Sequence, residues 1–268
     1  MSERATPRLS VAAITFDFGN TLVPIRREDL VAVVGEMTEQ VRGRSGPFPA
    51  GAFETAWAEE RSRQFAEEVP RLREVDLATR VVRVLARLRG LAPPDRADPW
   101  DDLAAARLGS PDEVAAALAD YSAAFVAMVP PPPDVGPLLD RLATAYRLGI
   151  CSNWPLAATI DRYVEAAGWS ASLAAVVVSQ RVGTIKPDAR IFRAAEAALG
   201  TSPGRMLHVG DDWAADVIGA ARAGWRVAWL RNRPADSPLP ASEPTDEAEP
   251  DIVLDRLADL ETALAGPA

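Results

Sequence analysis

Residues 11–21 read Val11-Ala12-Ala13-Ile14-Thr15-Phe16-Asp17-Phe18-Gly19-Asn20-Thr21. The first six form a short, almost wholly apolar run, the pattern of a strand buried on both faces. Asp17 to Asn20 are turn-forming in character and end it. A carboxylate, Asp17, is therefore expected at the carboxyl end of a buried strand.

The same grammar returns after residue 134. Helical periodicity over 135–145, 156–167, 188–199 and 214–223 alternates with apolar strand-like runs at 146–151, 174–178, 206–209 and 226–230. A last short strand is expected at 252–254, followed by a terminal helix. Strands alternating with helices predict an α/β fold, a doubly wound parallel sheet covered on both faces. Between the first strand and this series the texture differs. Residues 52–65, 76–88 and 112–128 carry apolar positions at helical spacing, and Pro47, Pro93-Pro94 and Asp98-Pro99 punctuate them. Ser110-Pro111-Asp112-Glu113 supplies an N-cap with proline at the first helical position. The expected organisation is an α/β core of residues 1–25 and 129–268, with a helical domain, 26–128, inserted. The run Pro130 to Pro133 reads as a stiff connector, and the Pro- and acid-rich stretch 232–250 as a surface loop.

Composition excludes several functions. The chain has 268 residues, 48% of them hydrophobic and 25% charged, with a formal net charge of −9. A broadly acidic protein is a poor match for nucleic acid or an anionic membrane. No apolar run is long enough to span a bilayer, and residues 1–10 have no signal-peptide pattern; the expected location is cytoplasmic. One cysteine, Cys151, rules out an internal disulfide. A small anionic substrate remains compatible, because a site can be locally positive within an acidic protein.

Four pieces fall at the carboxyl ends of expected strands, the edge where open parallel sheets bind ligands. They are Asp17 to Thr21, Cys151-Ser152-Asn153, Lys186-Pro187, and Gly210-Asp211-Asp212 with Asp216 following. Asp17 and Asp211 can hold a hard divalent cation such as Mg²⁺, which takes one or two carboxylates plus substrate phosphate oxygens. A backbone carbonyl near Gly19 can add a ligand. The Thr21 and Ser152 hydroxyls suit phosphoryl oxygens. Lys186 is the only lysine in a chain whose other basic residues are arginine; its ammonium can bind a phosphoryl group and hold the aspartates. An aspartate so placed can attack phosphorus and form an aspartyl-phosphate that water then hydrolyses.

These pieces, in this order, resemble the four motifs of the haloacid dehalogenase (HAD) superfamily, whose core is Rossmann-like. The segment 26–128 resembles its helical C1 cap, and the resemblance spans residues 11–230. It implies Asp17 as nucleophile and metal ligand, with the Gly19 carbonyl and Asp211 completing the protein's contacts to Mg²⁺. It implies Thr21, Ser152 and Asn153 as phosphoryl contacts, and Lys186 as the bridge between phosphoryl group and aspartates. Asp216, and in a similar part Asp212, are the implied supporting acids. The implied activity is Mg²⁺-dependent hydrolysis of a small phosphorylated metabolite by a monomer or homodimer.

The chain departs from the pattern at Gly19, where the family carries the aspartate that serves as general acid and base. Two alternatives follow: a 2-haloacid dehalogenase-type hydrolase, and a catalytically weak binding or regulatory protein. The acidic cluster around Asp211 favours metal and so speaks against the first. A phosphonate-cleaving enzyme would need a cap lysine, and residues 26–128 contain none. His208, the only histidine, and Cys151 read as buried structural residues.

Overall fold

The computed structural model describes residues 10–91 and 110–265. Pro93-Pro94 and Asp98-Pro99, read above as helix breaks, lie outside the described residues, as do residues 1–9. The chain divides into two compact units, one of residues 1–26, 131–153 and 167–268, the other of 27–130 and 154–166.

In the first unit the described residues form a parallel sheet of six strands: β1 (Ala13–Phe16), β2 (Arg147–Ser152), β3 (Leu173–Val178), β4 (Met206–Gly210), β5 (Arg226–Leu230) and β6 (Ile252–Leu254). Their spatial order is β3-β2-β1-β4-β5-β6. Every residue of β1 is buried, as its unbroken apolar sequence requires. Ala13 lies opposite Arg147 on one side and Met206 on the other. From β1 the chain builds outward through β2 and β3, then returns to β1's other side for β4, β5 and β6. This reversal leaves a crevice at the carboxyl ends of neighbouring strands, where ligands bind in such sheets.

The second unit contains α1 (Arg27–Ser45), α2 (Ala52–Glu68), α3 (Leu77–Leu88) and α4 (Pro111–Met128). Ser110 caps α4, accepting a bond from the Glu113 amide at 3.1 Å. Asp76 caps α3 in the same way, from Ala78 at 2.9 Å. Helix α1 has no counterpart among the helices read from periodicity. Its buried residues Val33, Met37 and Val41 repeat every fourth position, a stripe too narrow to stand out from a polar sequence. Phe53, Trp57, Tyr121 and Phe125 stack in succession between α2 and α4.

Residues 154–166, taken from sequence as core, group with the helical unit. There α6 (Ala157–Ala166) follows α5 (Val135–Ala143) in the chain but packs on α4. Tyr163 meets Phe125 edge-on at 5.8 Å, and the Thr159 and Ser122 hydroxyls are 2.9 Å apart. Periodicity shows that a helix has an apolar face, not which partner that face will meet.

In the α/β unit, α7 (Ala189–Leu199) covers β2 and β3. Gly149 lets it approach: a Cβ there would lie 3.1 Å from the Ala175 carbonyl and 3.3 Å from Leu199. Phe192 is fully buried and meets His208 and Trp225 edge-on. Truncation of Phe192 to alanine is expected to cost about 3–5 kcal/mol, measured by urea unfolding followed by circular dichroism. A loss below ~1 kcal/mol would show that the ring is not a core element.

Candidate active site

Lys186 is the centre of the site. Its ammonium donates to Asp17 Oδ1 at 2.8 Å, to Asp216 Oδ1 at 2.6 Å and to the Cys151 carbonyl at 2.8 Å. Three acceptors match the three protons of an ammonium group. The side chain is 1% exposed, so its charge survives burial only because carboxylates surround it. Burial alone would lower its pKa, but Asp17 and Asp216 outweigh that effect and raise it. The backbone of Lys186 is fixed by Asn153, whose Oδ1 accepts from the Lys186 amide at 2.7 Å and whose Nδ2 donates to the Lys186 carbonyl at 3.1 Å. Asn153, expected to touch a phosphoryl group, thus makes both of these side-chain bonds to Lys186.

Asp216 lies on a π-helical segment, Trp213–Ile218, that follows β4; such turns often mark functional sites. Its Oδ2 accepts from the Asp212 amide at 2.9 Å. A Cβ at Gly210 would come within 2.2 Å of the Asp216 carboxyl carbon, so the glycine of the fourth motif leaves room for this carboxylate. Burial would raise Asp216, but Lys186 and His208 hold it well below the usual carboxylate range.

His208 is fully buried, with Nδ1 2.9 Å from the Thr15 hydroxyl and Nε2 3.0 Å from Asp216 Oδ1. A neutral ring that donates from Nε2 and accepts the Thr15 proton satisfies both contacts. Burial, reinforced by Lys186, lowers its pKa and keeps it neutral. This is the structural part expected of it.

Asp17 follows β1, its amide donating to the Val209 carbonyl at 2.8 Å. Asp211 follows β4; its Oδ1 accepts from the Thr21 hydroxyl at 3.3 Å. Burial raises the pKa of both, Asp211 to about 8, with Asp216 adding to the effect. The Ser152 hydroxyl is buried close to Asp17, where it favours the ionised carboxylate. Asp212 caps the helical segment: its Oδ1 accepts from the Ala215 amide at 2.7 Å and the Ser242 hydroxyl at 3.0 Å. Asp17, Asp211 and Asp216 offer oxygens within 4.8 Å of one another. Lys186 faces Asp17 and Asp216, and Arg233 faces Asp211, so three ionised carboxylates meet two cations and leave surplus negative charge. With both Asp216 oxygens already engaged, Asp17 and Asp211 suit a hard divalent cation.

The stretch read as a surface loop supplies residues that the sequence did not single out. Arg233 Nη1 lies 3.1 Å from Asp211 Oδ2, and the same guanidinium donates to the Leu239 and Pro240 carbonyls. The Ser237 hydroxyl lies 3.0 Å from Asn20 Nδ2. Asn20 has a positive φ of 60° and accepts from the Ile25 amide at 3.1 Å, so it shapes the turn after Asp17. The Thr245 hydroxyl accepts from the Trp213 indole at 3.3 Å. The loop is thereby tied to the first and fourth motifs. Its only sequence signal was a scatter of hydroxyls and one arginine among prolines.

Comparison with known proteins places the family and the fold. The family model described as haloacid dehalogenase-like hydrolase matches residues 11–224. The chain is 31% identical over 163 residues to a glyceraldehyde 3-phosphate phosphatase of Methanopyrus kandleri, covering 59% of this chain and 68% of that one. It is 39% identical over 94 residues to a phosphoserine phosphatase of Thermus thermophilus, covering 35% and 34%. Its fold resembles a 2-haloacid dehalogenase from Pseudomonas syringae pv. Tomato, with a TM-score of 0.63, 20% identity, and 95% and 98% of the two chains covered.

The His208 ring carries a pH prediction. Its pKa in the folded protein lies below the ordinary unfolded value of about 6.5, so acid favours the unfolded chain. The stabilising contribution of the neutral ring is complete above that value and is lost as pH falls. The unfolding free energies of the native protein and a His208→Gln variant should therefore differ most near pH 8 and converge below about pH 6. Urea titrations at stepped pH measure this; a gap that widens in acid would contradict it.

Proposed function

The chain belongs to the haloacid dehalogenase-like hydrolases, and from that premise we propose that it hydrolyses small phosphate monoesters through phosphorylated Asp17. One observation carries the proposal: Lys186 bridges Asp17 and Asp216 beside Asp211. The names of two relatives, a glyceraldehyde 3-phosphate phosphatase and a phosphoserine phosphatase, support a phosphorylated metabolite as substrate.

In this proposal Lys186 holds Asp17 by Oδ1, leaving Oδ2 to attack phosphorus. The Ser152 hydroxyl, buried beside Asp17, donates to a phosphoryl oxygen. The Thr21 hydroxyl steadies Asp211 from its present position and Asn153 fixes the backbone of Lys186. Asp216 anchors the Lys186 ammonium, and Asp212 holds the helical segment that carries Asp216. Mg²⁺ would be held by Asp17, Asp211 and the Gly19 carbonyl, and supplies charge neutralisation as the anionic phosphoryl group meets a carboxylate. The inserted segment 26–128 is the proposed cap-type domain.

A second reading has one observation in its favour. Arg233 already gives Asp211 a cation, as metal-free cleavage of a carbon–halogen bond by Asp17 would allow. Halide release from 2-haloacids that is unaffected by chelator would establish that reading instead.

Purified protein should release phosphate from members of a panel of sugar phosphates, nucleotides and phosphorylated acids when Mg²⁺ is present. EDTA should abolish the activity, and Asp17→Asn should lower it below detection. No release from any member of the panel would refute the proposal. Gly19→Asp restores a carboxyl group where the family keeps its acid. General acid–base help is worth roughly 10²–10⁴-fold, so this variant should raise kcat by at least about tenfold. An unchanged rate would mean that another group already delivers the leaving-group proton.

A further inference from the structure

The helical unit buries a cation that pairs with no anion among the described residues. Arg80, on α3, is 4% exposed. Its guanidinium lies 5.0 Å from the centre of the Trp57 ring, and its Nε donates to Gln64 Oε1 at 2.8 Å. Its Nη2 is buried and has no hydrogen-bond partner among the described residues. Among the described residues Arg80 forms no ion pair. Burial lowers its pKa to about 10, which leaves it charged at neutral pH.

One turn along, the same two helices make a different arrangement. Arg83 pairs with Glu60 at 3.3 Å, and Glu60 is itself buried. Glu60 and Gln64 are successive turns of α2, as Arg80 and Arg83 are of α3. Where one pair has a carboxylate, the other has a neutral amide. Gln64 is fixed in that place by its own bond to the Asp76 carbonyl, at 2.8 Å. The acids Glu74 and Asp76 favour the charged form of Arg80. Asp76, however, is engaged with the Ala78 amide and the Thr79 hydroxyl, and Glu74 accepts from the Val75 amide.

A buried guanidinium without a counter-ion is unfavourable unless something completes it. Its planar N–H groups match the oxygens of a carboxylate or phosphate. Tyr121, 6% exposed, stacks on Trp57 at 6.0 Å and interacts electrostatically with Arg80; its phenol adds a hydroxyl of the kind that oxyanions accept from. We propose that Arg80, flanked by Trp57, Gln64 and Tyr121, forms an oxyanion-binding site in the helical unit, with the Nη2 group as its donor. The oxyanion is that of a free inorganic or organic acid.

The test uses the full chain with sulfate as probe, followed by calorimetric titration and by thermal unfolding. The variants are Arg80→Met, which removes the cation, and Gln64→Glu, which supplies the missing carboxylate in place. Sulfate affinity should fall at least tenfold in both variants. Gln64→Glu gives up the bond from Gln64 Nε2 to the Asp76 carbonyl, so its circular dichroism spectrum is compared with that of the native protein before titration. Sulfate binding that is unchanged in the two variants would overturn the site. So would a Gln64→Glu protein that keeps a native circular dichroism spectrum and binds sulfate as tightly as before.

Sulfate titration needs no turnover, so failure of the phosphatase proposal leaves the binding result interpretable.

Discussion

The α/β unit is organised around one buried ammonium group. Lys186 sits between Asp17 and Asp216, with the Cys151 carbonyl as its third acceptor. None of these groups is stable in that interior alone. A buried lysine sheds its proton and a buried carboxylate takes one up, unless each supplies the other's counter-charge. Their mutual dependence ties together the ends of β1, β2 and β4 and the loop before α7. Much around them serves that arrangement. His208 stays neutral to donate to Asp216, Asn153 fixes the lysine backbone, and Gly210 leaves room for the Asp216 carboxyl.

The parallel sheet makes such convergence possible. Because the strand order reverses at β1, the residues after β1 and β4 emerge side by side. Asp17 and Asp211, 194 positions apart by their residue numbers, become parts of one acidic cluster. The loop after β5 then returns over the same edge, tied to Asn20, Asp211 and Trp213. Arg233 partly neutralises Asp211, so the charge of the site is set by a loop outside the motifs as well as by the motifs.

The helical unit obeys a different constraint. Its interior is built on an aromatic series and on buried arginines between α2 and α3. Arg83 is balanced by Glu60, while Arg80 meets an amide and an indole face. Two neighbouring positions with the same cation and different partners show that the composition of the segment does not reveal its electrostatics. Those are decided by which turn of one helix faces which turn of the next.

The sequence by itself determined the α/β class and the order of its elements, because strand and helix periods are local properties of the chain. It also placed Asp17, Ser152 and Asp211 at strand ends, since each closes or follows an apolar run, and it set Lys186 apart as the only lysine. Only the tertiary structure decided what those groups touch. Asn153 faces the Lys186 backbone and Asp212 caps a helical segment. Residues 154–166 join the helical unit, and Arg233 reaches Asp211 from a proline-rich loop. Each of these depends on pairing between distant segments. An apolar face or a polar side chain carries no mark of its partner until the strands have taken their order and the loops have closed over the sheet edge.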